Sequence, residues 1–455
     1  MLRAAIVLCV ALLVATLGGR AYAATYYVSP NGSDAKTGLS PADAWRTVDK
    51  VNNIPFQPGD RVLLEGGQTF DGPLVPWSSG RPGAPIAFAS YGSGRATIQT
   101  GDNNIVFFPG VNWVTLDNLR LTALGQDEHV IVADPAKTNS FVTIQNCVIT
   151  DTRAFGINDP SPSDHDWTIQ NNTISKTAET GITFRGSNFQ VIGNRVLATG
   201  LDPREAAHGI YAKGPNAQVI GNTITDFAVS GISIRYHGAI VRGNTIEGGP
   251  IGIGQFQERD ESTRGTSVIA YNRISKVADA GMYLDGSTVE SFVIANNTVD
   301  VSSGIGLNVH RVASLWLVNN VVTGTGTKYG LLAQKPTGLY REFNNLWYPA
   351  VVFGWNGADR SFADYAKGTG QGRNDLLVDP QLDMGLGPKV SSPLLDAGSR
   401  VVPGLRFLAT CNGQPFSYCS RAPEIGAVER RSVVAEKVMA PPRRSAPTRA
   451  GAPRG

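Results

Sequence analysis

Thr168-Ile169-Gln170-Asn171-Asn172-Thr173-Ile174 returns in nearly the same form as Val219-Ile220-Gly221-Asn222-Thr223-Ile224 and as Val293-Ile294-Ala295-Asn296-Asn297-Thr298-Val299. Aligned on the Asn two places before the closing apolar residue, the unit recurs at Asn172, Asn194, Asn222, Asn244, Asn272, Asn297, Asn320 and Asn345. The steps between them are 22, 28, 22, 28, 25, 23 and 25 residues. Cys147 and Leu119 hold the same register in two earlier, more divergent copies. A Gly-apolar pair and a second short alternation recur with the unit: Gly181-Ile182, Gly209-Ile210, Gly231-Ile232, Gly281-Met282, Gly306-Leu307 and Gly330-Leu331.

A repeat of this length marks a stacked architecture in which no unit buries its apolar face alone. Alternating apolar residues in runs this short are strands. One repeat per coil, each coil pairing in parallel with the next, satisfies both the period and the alternation. The Leu-x-x-Leu-x-Leu frame of leucine-rich repeats is absent. The fold class is therefore all-β, a parallel β-helix of about ten coils. A column of Asn at one bend can exchange amide hydrogen bonds between coils and satisfy buried backbone groups. That reading outweighs a sugar-binding Asn row, because the alternation places these positions at inward bends.

The composition agrees with such a stack. Gly is 52 of 455 residues and charged residues are 17%, against about 7% and 25% in ordinary globular chains. Apolar content of 42% is ample for a core. The formal net charge of +3 conceals a division: residues 1–23 carry +2, residues 429–455 carry +5, and residues 24–428 carry −4. A folded body with that balance is no nucleic-acid binder.

Arg3, the apolar run Ala4 to Leu17 and Ala21-Tyr22-Ala23 read as a secretory signal peptide over residues 1–23. No later segment is long and apolar enough to span a bilayer. Cys411 and Cys419 could close a small disulfide loop in an oxidising compartment, while Cys147 sits in a buried pattern. Residues 430–455 are rich in Ala, Pro and Arg and read as a disordered basic tail. The remainder divides into an N-terminal cap and first coils (24–110), repeats (111–350) and C-terminal coils with an irregular cap (351–429). Ser40-Pro41 followed by Ala42 to Val51 reads as an N-capped helix covering the open end of the stack.

Beyond the coils, Tyr26-Tyr27-Val28-Ser29-Pro30-Asn31-Gly32-Ser33-Asp34, Ala44-Trp45-Arg46-Thr47 and Pro58-Gly59-Asp60 resemble the opening of secreted right-handed parallel β-helix proteins. Asp379-Pro380, Ser392-Pro393, Asp396-Ala397-Gly398 and Pro423-Glu424-Ile425-Gly426-Ala427-Val428-Glu429 are similar to their usual close. The resemblance covers roughly residues 25–429. It is to the superfamily that includes pectate and alginate lyases, and it implies a right-handed coil. Substrate stays open, since such a scaffold hosts lyases, hydrolases, epimerases and binding proteins.

Strand alternation identifies one outward face. Residues one and three places after each Gly are apolar and point inward; those two and four places after it point outward. The outward set is Thr183/Arg185, Tyr211/Lys213, Ser233/Arg235, Tyr283/Asp285, Asn308/His310 and Leu332/Gln334. Between Arg235 and Tyr283 the register is ambiguous, with Gln255, Gln257 or Glu258 facing out. Long repeats add residues around these strands, at Thr199 to His208, Asp159 to Asp166 and Gln257 to Thr266. They would build the walls of a groove.

Two chemistries compete for that groove. In β-elimination of a uronate polysaccharide, a cation or metal neutralises the carboxylate, a base takes the C5 proton and an acid protonates O4. Lys213 fits the base, since the flanking cations Arg185 and Arg235 favour its neutral amine. Arg235 binds the carboxylate, Tyr211 or His310 donates the proton, and Asp285 completes the reactive set. Arg185, Tyr283, Asn308 and Gln334 are the candidate substrate binders. The lyase resemblance implies a Lys or Arg base, often with calcium, and Asp202, Glu205 and Glu258 are the carboxylates such an ion would use. Glycoside hydrolysis instead needs two carboxyl groups, for which Asp285 with Glu258 or Glu261 is the available pairing. Asp164-His165-Asp166 is similar to the Asp-Pro-His-Asp signature of mannuronan epimerases but lacks the Pro, and reads as a surface loop; His129 and His237 carry no role. A β-helix that only binds glycan remains a non-enzymatic alternative. The expected partner is an anionic polysaccharide, met by a monomer.

Overall fold

In the computed structural model the described residues are 23–101, 104–123, 130–204, 206–256, 265–287, 290–349, 352–400, 402, 410–411, 414–415 and 422–429. The expected signal peptide, but for its last residue, the expected basic tail and the expected Cys411–Cys419 pairing lie outside what is described. The chain winds through about eleven turns. Each complete turn gives one strand to each of three sheets. In one coil these are Thr168–Gln170, Thr173–Thr177 and Ile182–Phe184, after which Gln190–Ile192 begins the next. The first sheet runs through 13 strands from Thr25–Val28 to Tyr340–Phe343. The second has 12, ending at Leu346–Trp347, and the third has 12, starting at Val106–Phe108. Pairing is parallel from coil to coil, apart from Ala358–Arg360, which folds back antiparallel on Val352–Trp355. Among the described residues no helix is long and apolar enough to cross a membrane.

Inward residues stack by type along the axis. Ile169, Val191, Val219 and Val241 form one such row, Ile174, Val196, Ile224 and Ile246 another, all fully buried. Branched side chains suit this pleated, two-sided burial, and each contributes about 1.5–3 kcal/mol relative to exposure. One apolar cluster continues from Val28 to Tyr365.

The Asn column is the seam between first and second sheets. Asn172 Nδ2 donates to Ile144 O (2.9 Å) and to Asn194 Oδ1 (3.0 Å), while its own Oδ1 accepts from Cys147 N (2.9 Å). The pattern repeats through Asn194, Asn222, Asn244, Asn272, Asn297 and Asn320. It ends at Asn345, which donates to Glu342 Oε1 (2.7 Å) and, through its backbone, to Asp375 Oδ1 (2.9 Å). The preceding residue is left-handed in every coil, as at Asn171 (φ 55°), Gly193 (63°) and Gly221 (65°), which explains why Gly and Asn dominate there. The Gly of each Gly-apolar pair has a different cause. A Cβ on Gly231 would lie 2.5 Å from Ile246 Cγ2 and 3.0 Å from Gly252 O, so close packing excludes a side chain.

Both ends are covered. The expected helix from Ala42 to Val51 is instead two short pieces, a 3-10 turn Pro41–Asp43 and a helix Val48–Asn52. Ser40 caps the first as expected, but Trp45 is drawn into a parallel bridge with Val28, and Thr47 caps a second start. The β pairing of Trp45 interrupts the helix. At the far end, Phe362–Thr369 lays Tyr365 against Phe353 (ring centroids 5.0 Å) and Trp355 (5.7 Å).

Candidate active-site groove

The third sheet carries the outward face that alternation assigns. Thr183, Tyr211, Ser233, Gly254, Tyr283, Asn308 and Leu332 pair in sequence across seven coils. Their inward neighbours Ile182, Ile210, Ile232, Ile253, Met282 and Leu307 are fully buried. Two residues further on lies a second outward row: Arg185, Lys213, Arg235, Phe256, Asp285, His310 and Gln334. Its last section is explicit in the pairing of Phe256 with Asp285 and of Asp285 with His310. The ambiguous coil is resolved by Phe256. Gln255 pairs with Leu284, is fully buried and donates to Glu290, so it is no groove residue. Gln257, Glu258 and Glu261 lie outside the described residues.

Arg185, Lys213 and Arg235 occupy successive coils, about 4.8 Å apart along the sheet. Tyr211 joins two of them. Arg235 Nε donates to Tyr211 Oη (2.7 Å), and its Nη1 donates to Phe256 O (2.7 Å). Lys213 Nζ lies 4.3 Å from the Tyr211 ring centroid, and the Arg235 guanidinium 5.3 Å from it. The guanidinium is also 5.5 Å from the Phe256 ring, which stacks on Tyr283 (5.0 Å, 19°). Each cation–π contact is worth about 0.5–2 kcal/mol depending on desolvation. Together with the two hydrogen bonds they hold Arg235 in one orientation.

His208, which the sequence placed only in a groove wall, lies with its ring 4.5 Å from that of Tyr211. It is 5% exposed and its Nδ1 has no hydrogen-bond partner. Burial, then the charges of Arg235 and Lys213, lower its pKa to about 4. The imidazole is therefore neutral at pH 7, beside a strongly positive strip. The signal that could have found it is its place three residues before Tyr211, on the strand His208–Ala212.

A cleft of about 400 Å³ opens beside this strip, lined by Glu179, Thr183, Arg185, Ala206, Ala207, Tyr211 and Lys213 among others. Ala206 and Ala207 come from the Thr199 to His208 insertion, which thus forms a wall. Asp159 and Pro160 come from the other insertion. Asp164, expected on a surface loop, is fully buried. Its carboxyl accepts from Asn139 N (2.7 Å) and Asn139 Nδ2 (3.1 Å). Asp159, also buried, accepts from the backbone N–H of Arg185 (3.3 Å), Gly186 (2.9 Å) and Ser161 (2.9 Å). Burial and the neighbouring Asp159 charge push Asp164 up to about 7, and burial raises Asp159 as well. Fixing this loop, rather than solvation, explains the acids. His165 does remain half exposed, paired with Asp166 Oδ2 (2.8 Å).

The distal half of the row is a separate place. His310 lies four coils from Lys213, about 19 Å at the usual strand spacing. It therefore cannot protonate a bond whose C5 proton goes to Lys213. Burial lowers its pKa, with Asp285 opposing the effect. Asp285 is held by Arg311, whose Nε donates to Oδ1 (2.9 Å) and whose Nη2 pairs with Oδ2. That engagement removes it from an acid–base role with Lys213. Tyr283 is half buried, Asn308 is 6% exposed with its Oδ1 unpartnered, and Gln334 is exposed. Of the expected calcium ligands, Glu205 and Glu258 lie outside the described residues. Asp202 is chelated by Arg204 (Nε to Oδ1, 2.9 Å), and that hydrogen bond lowers its pKa to about 2.

Residues 161–322 match the family described as a right handed beta helix region. The chain superposes on pectate lyase Pel9A with a TM-score of 0.51 at 17% identity, over 90% of this chain and 98% of that one. The chain is a right-handed parallel β-helix. The β-helix also superposes on XylC in its complex with xylose, with a TM-score of 0.52 at 11% identity, over 74% of this chain and 76% of that one. In sequence it is 29% identical over 185 residues to a lacto-N-biosidase of Bifidobacterium longum subsp. longum. That stretch is 38% of this chain but spans only 11% of the relative.

Proposed function

We propose that the β-helix is an exported polysaccharide-active enzyme whose third-sheet groove cleaves a uronate-containing chain by β-elimination. The observation that carries this reading is the run Arg185, Lys213 and Arg235 on successive coils around Tyr211, with Arg235 hydrogen-bonded to the phenol. Two guanidinium groups flank the amine, so a bound carboxylate is neutralised beside the base. Neutralisation acidifies C5–H, Lys213 accepts that proton, the C4–O4 bond breaks as C4=C5 forms, and Tyr211 protonates O4. The Tyr211 oxygen accepts from Arg235, which orients the phenol. The names of the relatives, a pectate lyase and a lacto-N-biosidase, accord with a carbohydrate substrate.

Hydrolysis is the second reading, favoured by the likeness to the lacto-N-biosidase. It requires two carboxyl groups about 5–5.5 or 6.5–9.5 Å apart. Asp285 is engaged by Arg311, so Glu179 and Asp159, the two carboxylates that line the cleft, are the described pair that this reading would use. A panel of pectate, alginate and neutral xylan, with and without chelator, separates the readings. Unsaturated uronate ends support elimination. New reducing ends without unsaturation support hydrolysis and overturn the lyase reading. Loss of activity with chelator that added calcium restores would assign a calcium ion to the groove.

A further inference from the structure

The outward row narrows at Ser233 and Gly254, between Tyr211 and Tyr283. A Cβ at Gly254 would lie 2.6 Å from the Phe256 ring and 3.2 Å from Ser230 Oγ. The Phe256 ring therefore fills a notch in the groove floor, and the Ser230 hydroxyl borders the same notch. His208 pairs with Ser230 on the adjacent coil, and Tyr211 pairs with Ser233. His208 Nδ1, Ser230 Oγ and Ser233 Oγ all lack a hydrogen-bond partner, although the residues are 5%, 0% and 0% exposed.

Buried polar atoms are nearly always satisfied, and three orphans on neighbouring positions need a physical account. Nothing in the coil stack requires them. Strand pairing here does not depend on hydroxyls, and a Val at 230 or 233 would suit the strands at least as well. What distinguishes the place is its roof: the Arg235 guanidinium lies over the Phe256 ring and is fixed by Tyr211 and Phe256 O. A side chain that stacks without hydrogen bonds is the part of this roof that can turn aside. Tyr211 and Tyr283 would then face each other across an opening with three polar atoms on its floor and a guanidinium at its rim.

We propose that His208, Ser230 and Ser233 are the floor of a sugar-ring subsite plugged by Phe256, and that a hexuronate unit displaces the Phe256 ring. Its hydroxyls take up the three orphaned atoms and its carboxylate lies on Arg235. This deepens, and rests on, the uronate reading of the groove. The neutral imidazole accepts from a sugar hydroxyl, and the two serines both donate and accept. The unsatisfied atoms disfavour the plugged state, and ligand binding removes that penalty.

The test uses the full chain titrated calorimetrically with galacturonate and mannuronate trisaccharides, and with a neutral galactose trisaccharide. Ser230→Ala and Ser233→Ala are each expected to weaken uronate binding by on the order of five- to tenfold. The melting temperature should stay level or rise, because an orphaned hydroxyl is removed. Phe256→Ala should tighten binding, since the plug is gone. Unchanged affinity in both serine variants overturns the subsite. So does a lowered melting temperature with unchanged affinity, which would make the hydroxyls structural. Equal binding of the neutral trisaccharide removes the carboxylate from the proposal and overturns it as stated. Serine-dependent binding without any unsaturated product leaves the subsite standing and overturns the lyase reading alone. Absence of binding to all three probes overturns both.

Discussion

Asn244→Ala removes one rung from the middle of the Asn column, and the structure sets the cost. Asn244 Oδ1 accepts from Asn222 N (2.9 Å) and Asn222 Nδ2 (3.0 Å). Its Nδ2 donates to Val219 O (2.9 Å) and Asn272 Oδ1 (2.9 Å). Alanine deprives the Asn222 backbone N–H of its bond and takes one bond each from Asn222 Nδ2 and Val219 O, at a site with no solvent exposure. Asn222 Nδ2 keeps Val191 O, and Asn272 Oδ1 keeps Asn244 N, so the damage stops at neighbouring coils. At about 1–3 kcal/mol for each of the two groups deprived, the Asn222 N–H and Val219 O, the loss is about 2–6 kcal/mol. That is a large share of the 5–15 kcal/mol typical of a folded domain. Equilibrium urea unfolding measures it as a shift in midpoint at constant slope. Asn244→Asp keeps the acceptor half of the rung and loses the donor half at neutral pH, so its penalty should shrink on acidification. A loss below about 1 kcal/mol for Asn244→Ala would refute the claim that the column satisfies the buried backbone at this seam.

Two pH effects should act against each other. The Asp159–Asp164 pair has raised folded-state pKa values, so its stabilisation is complete below the unfolded value near 4 and is lost as pH rises toward about 7. Asp164→Asn should abolish that decline in a thermal unfolding series. His208 titrates near 4 when folded, below its ordinary 6.5, so its contribution is present above pH 6.5 and lost as pH falls toward 4. The full loss is about 3 kcal/mol from a shift of roughly two and a half units; His208→Gln should remove it, and persistence of the acid decline would refute the assignment. Tyr211→Phe should lower kcat about 10²–10⁴-fold, the usual range for a positioned proton donor, with a smaller change in KM. A KM effect alone would make Tyr211 a binding residue only.

The coil stack was legible because every turn repeats the same constraints. Asn in the column and Gly before the third-sheet strands recur at fixed positions, so eight aligned Asn residues outweigh any local propensity. The outward face followed from simple alternation, which correctly placed Arg185, Lys213, Arg235, Asp285 and His310. What alternation could not supply was distance along the stack and local pairing. It put His310 and Lys213 on one row without separating them by four coils. It offered Asp285 as an acid because Arg311, one residue beyond His310, lies past the strand end and outside the pattern. His208 was missed as a site residue because its role arises from burial beside Tyr211, a property of neighbouring coils. Asp164 was misread for the same reason: its partner Asn139 is 25 residues away.

The proposed role of the basic strip around Tyr211 is cleavage by elimination. Unsaturated ends counted against new reducing ends on a uronan that the chain degrades, for the native chain and for Lys213→Ala, decide between elimination and its alternatives. Elimination gives one unsaturated end for each new reducing end with the native chain, and loss of both in the variant with polymer binding retained. Reducing ends without unsaturation, or full cleavage by Lys213→Ala, would contradict it.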